Sequence, residues 1–382
     1  MLRLSKTLVG CNITKRGYKV LAIETSCDDT CVALMERDPK KDRAKLLQHV
    51  KKTLDSTGIG GIIPTKAFDH HQSQISAITR EILKNNSIDA FNPPDLICVT
   101  RGPGMKGSLS IGLDFAKGLS VAYEKPLIGV HHMLGHLLMP RFNRDTNVEF
   151  PFLSLLISGG HTMLVLTKSL FEHEVLCNTI DVACGDALDK VAREIGMTGN
   201  SNLGREMDKF LKDFTPTDAF QFDLPKPLQN KRGRVNQLNF ALGAFQGKVR
   251  EIMENNSHLK GDSNFRKHLA FQSQLAIFNH VVTKVALTLS LNKEKLSNVK
   301  NFVCSGGVAS NFTLRRLLNQ SLKVNSNVEN CFYPDPWLCT DNAVMIGWAG
   351  IELFEAGLVS EMTICPMSKW NINDIINVDD WQ

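Results

Sequence analysis

The chain has 382 residues, 43% of them hydrophobic and 22% charged, with a formal net charge of +5. That balance excludes a disordered polyelectrolyte, and the length exceeds what one ordinary core accommodates, so two lobes are expected. No uninterrupted apolar run approaches the ~20 residues of a membrane span, which argues against a membrane partner, and the mild positive charge permits nucleic-acid binding without requiring it.

Met1 to Ile23 carries Arg3, Lys6, Lys15, Arg16 and Lys19, several hydroxyl residues and no acid before Glu24. This composition predicts a mitochondrial presequence over residues 1–18 and delivery to the matrix. Lys19–Ser26 reads as a buried strand ending in a polar turn, followed by a short strand over Cys31–Met35. Ala67, Ile75, Ile78 and Ile82 recur at helical spacing and predict a helix over 65–84. Leu96–Thr100 is a buried strand running into the turn-rich Arg101–Ser108, which opens a helix ending near Tyr123, and Lys125–Val130 is a further strand.

Pro151–Leu166 places two apolar runs around a Gly-Gly turn, the pattern of a hairpin, and repeats the strand–turn–strand layout of the chain's start. Helical pattern follows over Asp186–Ile195, after Gly204 and over His268–Leu291; Asn301–Gly307 is a strand into a glycine turn. A helix carrying Arg315 and Arg316 comes next, and another begins near Asp341. The repeated opening predicts an α/β fold of two related lobes, 19–130 and 131–340, with the C-terminal helical segment 341–382 returning to the first. Residues 214–236 read as a polar surface excursion. The ten cysteines are scattered without a C-x-x-C pair, as expected of reduced thiols in an intracellular protein.

His132 and His136 stand four residues apart, so on a helix both imidazoles leave one face and can share a metal; Asp341 is an available oxygen ligand or, equally, a helix cap. Met133 stands where an H-E-x-x-H protease has its glutamate base. Ser158–Gly160 and Ser305–Gly307 are glycine turns straight after strands, where backbone amides can approach phosphate or nucleotide. Asp28 and Asp29 follow the first strand, facing a cleft or solvating a turn. Asp186 and Asp189 sit at a helix start, as caps or as partners of a ribose hydroxyl. Lys231, Arg232 and Arg234 are nearly contiguous, on a solvated loop or against RNA phosphate.

Taken in order, IETSCDDT, GGIIPTKA, RGPGMKGSL, GVHHMLGHLL, FPFLSLLISGGHT, GDALDK, VCSGGVASN and CTDNAVMIGWAG resemble the tRNA threonylcarbamoyladenosine transferases, specifically their mitochondrial branch, from about Lys19 to near the C-terminus. The resemblance implies the two-lobed fold of actin, sugar kinases and chaperone ATPases. It implies transfer of threonylcarbamoyl from its adenylate, made by a separate synthase, to the exocyclic amine of the adenosine 3′ of the anticodon in mitochondrial tRNAs reading ANN codons, with release of AMP. It implies one divalent metal ion per subunit, zinc or iron, on His132, His136 and Asp341. Leu156, Ile157, Ser158, Gly159 and Gly160 match the family's substrate loop; Asp189, Gly204, Asp208 and Asn311 match further substrate positions, and Asp28 the catalytically implicated aspartate. The family's usual P-G-G appears as Asn202-Leu203-Gly204, its aspartate pair as Asp181-Val182, and a serine–lysine stretch as Leu242–Gln246. The mitochondrial branch implies a homodimer.

The chemistry is coherent: AMP is a good leaving group, a metal can bind the acyl donor, amides can stabilise developing charge, and Asp28 can orient the amine or accept its proton. The rivals are a kinase or ATPase of the same fold, which has no use for the histidine pair, a metalloprotease, which has no use for the glycine loops, and a pure tRNA-binding module, which has no use for the metal constellation.

Overall fold

The computed structural model describes residues 17–40, 43–56, 61–142, 148–199, 202–229, 234–378 and 380–382. Most of the expected presequence, up to residue 16, and the basic pair Lys231 and Arg232 lie outside the described residues.

β1 (Tyr18–Glu24) pairs antiparallel with β2 (Asp29–Asp38), which pairs antiparallel with β3 (Arg43–Thr53). β4 (Leu96–Gly102) and β5 (Leu127–His131) extend the other side in parallel, giving the order β3-β2-β1-β4-β5. β1 is central, and Val20, Leu21, Ala22 and Ile23 are all buried, which is why its sequence is a continuous apolar run. β3 was not anticipated. It is a half-exposed edge strand studded with Lys45, Lys51 and Lys52, and such charge disguises a strand while protecting its open edge.

The second sheet repeats this plan. β6 (Phe152–Ile157), β7 (Thr162–Thr167) and β8 (His173–Thr179) form a meander, β9 (Asn239–Phe240) adds to its far edge, and β10 (Asn301–Ser305) and β11 (Asn330–Phe332) lie parallel beside β6. Read from its meander outward the order is β8-β7-β6-β10-β11, the same as in the first sheet, with β9 the addition. The strand–turn–strand repeat visible in the sequence is thus the first two strands of each duplicated sheet.

α1 (Pro64–Asn85) and α2 (Lys106–Tyr123) cover one face of the first sheet, where Ile75, Ile78, Ile82 and Leu113 meet Leu21, Ile23, Val32 and Leu34. The other face meets α3 (His132–Phe142) and a late helix, and these also touch Phe152, Leu156, Val165 and Val303 of the second sheet. Two helices therefore lie between the sheets in a shared core. On the outer face of the second sheet lie α4 (Cys184–Glu194), α5 (Leu203–Phe210), α6 (Ala244–Asn255), α7 (Ser263–Leu291) and α8 (Phe312–Asn325). The second helix between the sheets is α9 (Ala343–Glu355). At Gly347 a Cβ would lie 2.5 Å from Met35 Sδ, so glycine lets α9 press onto β2. Arg37 on β2 clamps the far end of α9, with Nε 2.8 Å and Nη2 2.9 Å from the two Glu355 carboxylate oxygens.

α7 begins five residues before the expected His268 because Asp262 caps it, accepting from Asn264 N at 2.7 Å and Phe265 N at 3.2 Å. Among the described residues it alone has the length and apolar content of a membrane span, and it packs against β8 and α8 in the second lobe. The segment 214–236 is less of an excursion than its polar composition suggests. Phe220 and Phe222 meet Phe265 edge-on at 5.3 and 5.5 Å, and the buried Lys284 ammonium donates to Val235 O and Gln237 O at 3.1 and 3.0 Å. Every described cysteine is a free thiol, and most are buried.

Candidate active site

His132 and His136 open α3, directly after β5, and Asp341 precedes α9, so the two helices between the sheets carry the three groups. Asp341 Oδ1 lies 3.1 Å from His136 Nε2 and 3.5 Å from His132 Nε2, and the three donor atoms all fall within 4.8 Å of one another. Two atoms each ~2.1 Å from a common ion stand roughly 3.0–3.4 Å apart at octahedral or tetrahedral angles, so both imidazole–carboxylate distances suit a shared divalent ion, and two imidazoles with a carboxylate are a donor set such an ion takes. The imidazoles are 5–6% exposed and Asp341 28%, so the cluster opens on its carboxylate side.

Charge in the cluster is strongly coupled. Burial opposes ionisation of His132, but the Asp341 and Glu24 carboxylates outweigh it and raise its pKa. Burial likewise disfavours charged Asp341, and His132 followed by His136 overcomes it, holding this carboxyl well below the usual range. The metal-free cluster therefore favours an imidazolium–carboxylate pair, whose proton a bound metal would displace.

Sequence reading missed two supporting residues. Glu24, at the buried end of β1, lies 3.2 Å from His132 Nδ1. Lys51, on the unanticipated β3, donates to Asp341 O at 3.0 Å and pairs with Asp29. Glu24 stands in plain view within IETS, but only the fold brings it to a histidine 108 positions away. Asp29, the neighbour of Asp28, is committed to Lys51 and to Thr53 Oγ1 at 2.5 Å. Asp28 sits in the β1–β2 turn, whose Ser26 Oγ is 3.2 Å from His132 Nδ1, so the turn abuts the cluster. The Cys27 thiol in this turn is pushed well up by burial, then by the Asp28 and Asp341 carboxylates.

The Leu156–Gly160 loop lies alongside: His161, next in sequence, has its ring 6.4 Å from that of His132. Burial and then the neighbouring histidines push His161 down to about 4, leaving it neutral. The loop holds itself in shape, with Ser158 N donating to His161 O at 2.8 Å and Ser158 Oγ accepting from His161 N at 3.1 Å and Gly160 N at 3.3 Å. Gly159 N takes no part in these bonds. A Cβ at Gly159 or Gly160 would meet nothing within 4 Å, so protein packing leaves the space above the loop open. The second glycine turn is its neighbour, because β10 pairs with β6 and Gly306, at φ +105°, packs directly on Ile157 O.

The remaining expected positions fall into two bonded pairs. Asp189 accepts from Gly204 N at 2.6 Å, and burial raises its pKa to about 6. Asp208 accepts from Asn311 Nδ2 and from Gln274 Nε2, both at 2.7 Å, and burial raises its pKa too. Asn311 Oδ1 meanwhile caps α8, accepting from Thr313 N at 2.9 Å and Leu314 N at 3.1 Å. Gln274, on α7, was missed because nothing marks it in a helix sequence.

Comparison with known structures defines the class. The nucleotide-bound full-length HypF structure aligns at a TM-score of 0.50 and 13% identity, over 88% of this chain and 47% of that one; the Thermococcus kodakarensis HypF structure aligns similarly, at 0.50 and 13%. Identity this low speaks to fold alone, and with the duplicated sheets it defines the two-lobed, actin-like α/β class. The family model described as TsaD, tRNA N6-adenosine threonylcarbamoyltransferase, matches residues 45–348. The mitochondrial tRNA N6-adenosine threonylcarbamoyltransferase of Schizosaccharomyces pombe is 35% identical over 99% of this chain and 91% of its own, and the Ehrlichia ruminantium protein named for the same activity is 32% identical over 93% and 97%. The chain belongs to the tRNA N6-adenosine threonylcarbamoyltransferase family, and is accordingly a transferase of tRNA modification.

Proposed function

We propose that the chain transfers threonylcarbamoyl from threonylcarbamoyl-adenylate to N6 of the adenosine 3′ of the anticodon in mitochondrial tRNAs reading ANN codons, with release of AMP. The observation that carries this reading is the placement of a His–His–Asp donor set beside an open glycine loop, with the His161 and His132 rings 6.4 Å apart. A kinase of this fold has no need of the first, and a protease no need of the second.

His132, His136 and Asp341 would hold one divalent ion, zinc or iron, which when bound supplies a Lewis acid and a template for the acyl donor. The Leu156–Gly160 loop, above which protein packing leaves open space, receives the donor, and its backbone amides stabilise charge developing on the carbamoyl oxygen. Asp189, Gly204, Asp208 and Asn311 hold the adenosine half. Asp189, which accepts from Gly204 N, and Asp208, which accepts from Asn311 and Gln274, keep further oxygen lone pairs with which to accept from ribose hydroxyls. Asp28, in the turn facing the cluster, orients the incoming amine or takes its proton. The amine reaches the cleft from an anticodon loop with its target base splayed out.

The S. pombe relative is named mitochondrial, and together with the acid-free basic N-terminus this supports import of the present chain into the matrix. There it works as a homodimer with a separate synthase supplying the adenylate. The deciding experiment incubates protein, unmodified tRNA and threonylcarbamoyl-adenylate and analyses the nucleosides by mass spectrometry. Threonylcarbamoyladenosine forms if the proposal holds; tRNA-independent ATP turnover without modified nucleoside would favour the kinase-like alternative. Size-exclusion with light scattering tests the dimer, and the localisation of a chain lacking residues 1–18 tests import.

A further inference from the structure

Glu24 is 0% exposed, at the end of the central strand of the first sheet. An ionised carboxylate in such a place is costly unless every lone pair has a purpose. Oε1 accepts from Ser26 N at 2.6 Å; Oε2 accepts from the Thr100 hydroxyl and lies 3.2 Å from His132 Nδ1. Both oxygens are therefore acceptors, which a carboxamide cannot reproduce.

The other nitrogen of the same ring, Nε2, points at Asp341 Oδ1, 3.5 Å away. His136 differs: its Nε2 also faces Asp341, but its Nδ1 is buried without a hydrogen-bond partner. The two histidines of the cluster are thus held unequally, one gripped from behind by a carboxylate and the other only by packing.

We propose that Glu24 is the positioning residue of the metal site: by accepting a hydrogen bond from His132 Nδ1–H it keeps the proton on that nitrogen and reserves Nε2, which faces Asp341, as the ligating nitrogen, and so sets the site's affinity for a divalent cation. The inference rests on the metal reading given above. Carboxylates that hold the second nitrogen of a ligating imidazole fix its tautomer and ring orientation and raise its basicity, and losing one costs about 10–100-fold in metal affinity. Thr100, on β4, and the Ser26 amide in turn hold Glu24, so the device spans two adjacent strands. The competing partner for Nδ1 is Ser26 Oγ, also at 3.2 Å, but a hydroxyl can donate or accept and does not impose a tautomer.

The test measures Zn2+ affinity of the full chain by chelator competition, together with the visible spectrum of the Co2+-loaded protein, for wild type, Glu24→Ala, Glu24→Gln and Ser26→Ala. Circular dichroism of the metal-free proteins checks folding. Glu24→Ala should lose about 10–100-fold in Zn2+ affinity and show a changed Co2+ spectrum, Glu24→Gln should lose less, and Ser26→Ala should stay within about threefold of wild type. A purely structural role would lower thermal stability and leave affinity and spectrum alone. If Glu24→Ala does not fold, Glu24→Gln decides. Wild-type affinity in the folded Glu24 variants, or a loss confined to Ser26→Ala, overturns the proposal while leaving the metal site standing. A wild type that takes up neither Zn2+ nor Co2+ overturns the metal reading, and this inference with it.

Discussion

His136 Nε2 and Asp341 Oδ1 lie 3.1 Å apart although 205 positions separate them in the chain, because one opens α3, the other leads into α9, and the two helices share the space between the sheets. Removing the imidazole leaves Asp341 and His132, too few donors for a tight site. His136→Ala is expected to lower bound metal to well under one equivalent and to lower transfer by at least about tenfold, with circular dichroism unchanged. Elemental analysis showing unchanged stoichiometry would remove His136 from the site.

Asn311 bonds both Asp208 and the first amides of α8. Asn311→Ala should cost about 1 kcal/mol from the lost cap and weaken adenylate binding. Asn311→Asp keeps the capping oxygen but sets a second carboxylate against Asp208, so its stability should fall further as pH rises through the range where both ionise. Urea denaturation at several pH values separates the two; parallel curves would show that the Asp208 contact is unimportant.

Arg37 is 4% exposed and Glu355 27%, so their pair is mostly buried. Arg37→Met leaves Glu355 without its guanidinium at the end of the helix that carries the Asp341 loop, and should cost about 2 kcal/mol. The midpoint of chemical denaturation reports it, and a change under about 0.5 kcal/mol would class the pair as a surface contact.

His49, His173 and His280 are each pushed down to about 4, in every case chiefly by burial. Their folded values lie below the unfolded ~6.5, so between pH 6.5 and 4 these three sites bind fewer protons in the folded protein than in the unfolded chain. The stability they contribute is complete above pH 6.5 and is lost as pH falls toward 4. Asp29 and Asp189, raised to about 6, act in the opposite sense over the acidic part of that window. A single-site comparison isolates one group. His280 Nε2 accepts from Ala241 N at 3.1 Å, which Gln can imitate without titrating. His280→Gln should flatten the fall of stability with acid; a slope equal to wild type would show that His280 does not titrate on unfolding.

Arg234 lies among the described residues, just after Lys231 and Arg232, which do not. If the three meet tRNA phosphates, replacing all with Ala weakens tRNA binding and lowers the slope of log affinity against log salt by up to about 2–3, with adenylate binding intact. Salt titrations superimposing on wild type would return these residues to a solvated loop.

Much was legible in sequence. Buried strands such as Val20–Ile23 and Leu96–Val99 announce themselves because both faces are covered, and the two glycine turns stand out because each follows such a strand. β3, β8, β9, β11 and α6 were not seen. β3 sets Leu46-Leu47 and Val50 among lysines, Gln48 and His49 without a steady alternation, and β11 spans only Asn330–Phe332, too short for a periodic signal. Helix starts at Asp262 and Asn202 were blurred because a cap acts through one side-chain oxygen rather than through a pattern.

By itself the sequence determined the buried strands and most helices, their duplication, the family motifs and the chemical types available to a site, since these depend on local periodicity and residue identity. Only the tertiary structure decided which of those groups act together. Glu24 behind His132, Lys51 on the Asp341 carbonyl and Gln274 on Asp208 are contacts between segments 108, 290 and 66 positions apart. No local propensity encodes such distances; the first two follow from two sheets closing on the helices between them, and the third from α5 and α7 packing together on the outer face of the second sheet.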